Sequence, residues 1–115
     1  MLMVTLSFSK TYNLFKLHEI LRFIKECLLS LEISRTNIHS LDKEVILNVV
    51  RKDFSMKISL SEGVLGVEGL KIFQGQPKVK VEVVVSSDDQ KTVIKLVEKF
   101  KQCLFRKVAV SKAGG

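Results

Sequence analysis

The chain has 115 residues, 46% of them hydrophobic and 27% charged, with a formal net charge of +7. That is enough for one buried core, too little for two, and too apolar for a disordered chain. No apolar run approaches the roughly 18 residues of a membrane-spanning helix, and the apolar start, Met1 to Phe8, lacks a basic leader and a small-residue cleavage site, so a cytoplasmic protein without a membrane partner is expected.

Residues 2–9, LMVTLSFS, alternate, with Leu2, Val4, Leu6 and Phe8 on one side and Met3, Thr5, Ser7 and Ser9 on the other. Period two predicts a half-buried strand. Over residues 13–32 the period lengthens. Leu14, Leu17, Leu21, Ile24, Leu28 and Leu31 mark one face of an amphipathic helix, with Asn13 or Thr11 as its cap. Ile20, Phe23 and Cys27 widen the stripe beyond a coiled-coil seam, which suits a helix lying across a sheet. Phe15, Phe23 and Leu29 lie away from the leucine stripe and form a candidate partner interface, for a homodimer or a larger complex.

Residues 33–43 are polar and read as a connection, after which a meander of strands begins. EVILNVV (44–50) is largely apolar on both faces, and RKD (51–53) makes a turn. FSMKISL (54–60) alternates, with Phe54, Met56, Ile58 and Leu60 inward and Ser55, Lys57 and Ser59 outward. Glycines then fall at 63, 66, 69 and 75. A phosphate-binding loop would need them between a strand and a helix N-terminus, and no helix signal follows. A hairpin turn at Ser61-Glu62-Gly63, short strands over 64–68 and 70–74, and a turn at Gly75-Gln76-Pro77 are expected instead. The alternative is a greasy loop that docks on a partner. In KVKVEVVVS (78–86) Val79, Val81, Val83 and Val85 share the inner face, and Lys78, Lys80, Glu82 and Val84 the outer.

Ser87 with Gln90 forms a capping box, and Asp88 and Asp89 suit the positive end of a helix dipole. The spacing predicts a helix from about 88 to 104 with Val93, Leu96, Val97, Phe100, Cys103 and Leu104 buried. RKVAVSK (106–112) reads as one more short strand. The whole order, β-α-β-β-(β-β)-β-α-(β), predicts an α+β two-layer sandwich: a mainly antiparallel sheet with two helices on one face. A ferredoxin-like plan with extra strands competes with a helix-grip-like curved sheet around the C-terminal helix.

The chemistry of catalysis finds no pattern here. His18 and His39 have no ligand-spaced Cys, His or carboxylate, and no serine sits in a nucleophile elbow. Cys27 and Cys103 stand 76 positions apart on apolar helix faces and read as core residues, a disulfide being unusual inside a cell. No enzyme activity, metal or cofactor is expected.

Charge is what stands out. Residues 1–90 hold 12 Lys and Arg against 11 Asp and Glu, whereas residues 91–115 hold seven against Glu98 alone. Lys91, Lys95, Lys99 and, if the helix reaches it, Arg106 fall within an arc of about 80° on the last helix, opposite its buried stripe. Such a row could follow a phosphate backbone, with Lys107 beside it. The outer face of the sheet adds Lys57, Lys78 and Lys80 among serines and threonines, without the aromatics that stack bases. The expected function is a non-catalytic small binding module contacting RNA, DNA or another acidic partner through the basic C-terminal helix. A small apolar-ligand carrier of the helix-grip kind and a structural subunit of a protein complex are the alternatives.

Overall fold

The computed structural model describes residues 3–65 and 76–114. The order is β1 (Val4–Asn13), α1 (Leu17–Ser30), β2 (Asn37–Leu41), β3 (Glu44–Val50), β4 (Ser55–Leu65), β5 (Gln76–Ser87) and α2 (Gln90–Gly114). The strands form one sheet in the order β1-β5-β4-β3-β2. Every neighbouring pair is antiparallel. This is the predicted α+β sandwich. It is not the ferredoxin-like plan, in which two helices each cross over between strands: here α1 alone does so, from β1 to β2 at the opposite edge of the sheet, and no described strand follows α2. The first strand instead closes the meander by pairing with the last.

The core follows from the alternation. Val79, Val81, Val83 and Val85 of β5 are fully buried, and they face Met56, Ile58 and Leu60 of β4 and Val45, Leu47 and Val49 of β3. The helices cover this face: α1 lies over β4 and β5, α2 over β1 and β5, and the two helices touch each other. Among the described residues, no helix is long and apolar enough to cross a membrane.

Several boundaries differ from the sequence expectation, each for a physical reason. Leu14 adopts a φ of 68°, which ends β1, and α1 starts only at Leu17. The expected caps Asn13 and Thr11 belong to β1; Glu19 instead accepts a 2.9 Å hydrogen bond from the Lys16 N–H. At its far end α1 closes in a Schellman motif, with Glu32 at φ 63° in the position that usually falls to glycine. The Ile33 N–H bonds the Leu28 carbonyl, the Glu32 N–H bonds that of Leu29, and the Ile33 side chain is buried.

The connection expected over 33–43 contains strand β2, joined to β3 by the two-residue turn Asp42-Lys43 with Asp42 at φ 55°. All five residues of β2 are exposed, so no burial pattern betrays the strand in the sequence. No turn forms at Ser61-Glu62-Gly63. There β4 runs on, and a Cβ on Gly63 would come 3.2 Å from Cε of Lys78 on the paired strand. Gln76 and Pro77 likewise belong to β5 rather than to a turn. The remainder of the expected short strands at 64–68 and 70–74, the alternative greasy loop, and Gly66, Gly69 and Gly75 lie outside the described residues.

The largest departure is at the C-terminus. Residues 106–112 are not a strand; α2 continues through them to Gly114. No glycine or proline intervenes between Leu104 and Lys112, and Phe100, Leu104 and Val108 extend the buried stripe at intervals of four. Nor is Ser87 the cap. Asp89 accepts the Lys91 N–H at 3.1 Å and the Thr92 hydroxyl at 2.8 Å. Ser87 is buried, donates to the Asp53 carbonyl and accepts the Asp89 N–H.

Cys27 and Cys103 are not free thiols. They form a disulfide that ties α1 to α2, with Cα atoms 5.8 Å apart. Their position on the two buried stripes, read separately, becomes one contact once both helices lie side by side on the sheet.

Candidate nucleic-acid interface

The 25 residues of α2 span about 37 Å. Because Val93, Phe100, Leu104 and Val108 anchor one side to the sheet, the opposite side is held outward. Lys91, Lys95, Lys99 and Arg106 are exposed along it, about 6 Å apart for residues four positions apart. The two ion pairs among the described residues lie elsewhere: Lys80 with Glu82 at 3.0 Å, and Lys107 with Glu26 at 3.4 Å. The row is therefore unneutralised by direct contact, although Glu98 shares the helix surface.

The helix layer forms grooves beside this row. Lys95 and Lys99 line an open cleft of about 440 Å³ with Ser30, Leu31 and Glu32 of the α1 end. Lys99, Gln102 and Arg106 line the next, also about 440 Å³, and Cys103 forms part of its wall. Arg106, Lys107 and Arg22 line a third of about 480 Å³. These clefts share residues in succession and run along the seam of α1 and α2. They open to the outside, and charged side chains line them.

The eight predicted contact residues do not make one site. Lys57, Lys78 and Lys80 project from the sheet face opposite the helices, so the whole sheet separates them from α2. Lys80 is paired with Glu82, and Lys78 lies over Gly63. Across all five strands that outer face presents Ser, Thr, Asn, Lys and Glu with a few aliphatics and His39, but among the described residues no Phe, Tyr or Trp. Lys107 is turned from the row toward α1, where Glu26 meets it.

Of the three residues expected to form an exposed apolar interface, Phe15 and Phe23 are buried. They meet edge to face with ring centroids 6.2 Å apart. The added turns of α2 account for this. The Lys112 ammonium lies 5.8 Å from the Phe15 ring, and Val110 and Ser111 share a cleft wall with Phe23. Leu29 alone of the three stays exposed, at 61%. His18 and His39 are exposed on α1 and β2 respectively.

Other basic residues join the helix surface from positions not singled out in the sequence. Lys101 has its ammonium 5.7 Å from the Phe8 ring, and Lys10 of β1 reaches across to α2, 5.1 Å from the ring of Phe105. Lys10 also lies 5.5 Å from the ring of Tyr12, whose phenol is pushed above its ordinary pKa by burial. Phe105 itself was legible: on a helix that reaches 114 it falls beside Lys91 and Gln102, away from the buried stripe. No family model matches the chain, and no curated protein matches it in sequence.

Proposed function

We propose that this chain is a non-catalytic binding module that holds nucleic acid by its phosphate backbone along α2. The observation that carries this reading is the outward row Lys91, Lys95, Lys99 and Arg106, exposed and free of ion pairs among the described residues. Lys91, Lys95 and Lys99 stand about 6 Å apart on a rigid helix, with Arg106 about 10 Å further on, so that one strand's phosphates laid along the row can be neutralised at several points at once. The helix is held rigid by its buried stripe and by the bond from Cys103 to α1. Backbone contact carries no base preference, so affinity in this reading tracks charge more than sequence.

The test is a salt titration of binding to a labelled oligonucleotide, read by fluorescence anisotropy. Four phosphate contacts predict that log Kobs falls against log salt with a slope of about −3. No binding at low salt, or an affinity that ignores salt, overturns the proposal.

A further inference from the structure

We propose, resting on the reading just given, that the nucleic acid is single-stranded and that Phe105 of α2 is a stacking platform for one of its unpaired bases. Phe105 is 60% exposed, and among the described residues it is the one Phe, Tyr or Trp with that much open surface. Tyr12, Phe15, Phe23 and Phe100 are buried, and Phe8 and Phe54 are half-buried against the core. Burying Phe105 would stabilise the fold, yet the helix turns it outward into the basic surface.

Its surroundings are cationic on both sides. Lys99 and Arg106 lie toward the α1 seam, Lys101 toward Phe8 of β1, and Lys112 toward Phe15 in the connection between β1 and α1. Lys10 completes the ring of charge from the neighbouring strand, its ammonium 5.1 Å from the Phe105 centroid. Binders of single strands combine these two elements: cations that follow the phosphates and an aromatic face on which any base can stack. A duplex has its bases already stacked and would meet only the cations. The sheet's outer face, among the described residues, supplies lysines with no Phe, Tyr or Trp, its one aromatic ring being the small imidazole of His39 on the edge strand β2, three strands from Lys78 and Lys80.

The experiment uses the full chain with a labelled oligothymidylate of about 20 nucleotides and a duplex of the same length. Phe105→Ala is expected to weaken single-strand binding by about 5- to 100-fold while duplex binding stays within about twofold. Phe105→Trp keeps the affinity. Because the chain has no other tryptophan, the fluorescence of that variant falls when the oligonucleotide binds. Circular dichroism and thermal unfolding of both variants match the native protein, since the residue is exposed.

Native single-strand affinity in Phe105→Ala overturns the inference, as does an equal loss for single strand and duplex. So does tryptophan fluorescence that stays constant at saturation. If such a result comes with binding that still falls steeply with salt, the phosphate-binding reading stands and only the stacking role falls. If the native protein binds neither probe, both fall.

Discussion

The two exposed faces of this molecule both carry lysine, and they differ in everything that would make lysine useful for binding. On the helix layer the cations stand in a row on a single rigid element, without ion-pair partners among the described residues, beside grooves and an exposed phenylalanine. On the outer face of the sheet Lys57, Lys78 and Lys80 sit among serines and threonines, one of them paired with Glu82, with no Phe, Tyr or Trp among the described residues. Composition would score both as basic. What separates them is whether the charges are opposed, and whether a second kind of contact lies beside them. Exposed lysine alone is an ordinary solvated surface. An unopposed row next to an aromatic ring is an arrangement that could do work.

The comparison can be sharpened by loosening one face and leaving the other alone. The Cys27–Cys103 bond closes a loop across 76 positions and joins the two helices but no strand. Cys27→Ser with Cys103→Ser is expected to cost up to about 4.5 kcal/mol by the chain-entropy account. Thermal unfolding reads this as a lower Tm. Amide exchange should show the loss of protection concentrated in α1 and α2 rather than in β4 and β5. Unchanged stability, or protection lost evenly, would mean that the bond does not hold the helix layer.

A smaller disturbance is confined to the start of the basic row. Asp89→Ala removes the acceptor of the Lys91 N–H and the Thr92 hydroxyl, at a cost of about 1 kcal/mol. Exchange should quicken in the first turn of α2, and nucleic-acid affinity should drop by less than about threefold, through Lys91 alone. An effect spreading to the C-terminal half of α2 would contradict the picture of a helix anchored along its length by Phe100, Leu104 and Val108.

Much of the fold was legible because alternation and helical spacing are local. The valines of β5, the inward Met56, Ile58 and Leu60, and Ile24 and Leu28 on α1 follow from period alone. The leucine stripe of α1 is off centre, however: Leu14 is exposed, Leu17, Leu21 and Leu31 are half-buried, and Ile20, Phe23 and Cys27 are buried. What stayed hidden depended on neighbours. The edge strand β2 buries none of its five residues, so it left no pattern to find. Val108 and Val110 imitate a strand in isolation, and only the continued contact of Val108 with the core keeps them helical. Phe15 and Phe23 read as exposed because the turns of α2 that lie near them were not expected there. The disulfide is a tertiary fact: each cysteine sits on its own helix stripe, and only the packing of both helices unites them.

The candidate site was legible in one part. Lys91, Lys95 and Lys99 required nothing beyond the helical angle, and they emerge exposed; Arg106 joins them only because α2 runs on past 104. Lys57, Lys78 and Lys80 were placed on the outer face by strand alternation alone, and they emerge there, with the sheet between them and α2. Phe105 was missed when the helix was ended at 104, one residue too soon.

The most direct measurement sets the faces against each other in a single anisotropy assay at low salt. One variant carries Lys91→Glu, Lys95→Glu and Lys99→Glu; the other carries Lys57→Glu, Lys78→Glu and Lys80→Glu. The account predicts about a 100-fold or greater loss of oligonucleotide affinity for the helix variant and less than about a threefold change for the sheet variant. Equal losses from both, or a larger loss from the sheet variant, would contradict it.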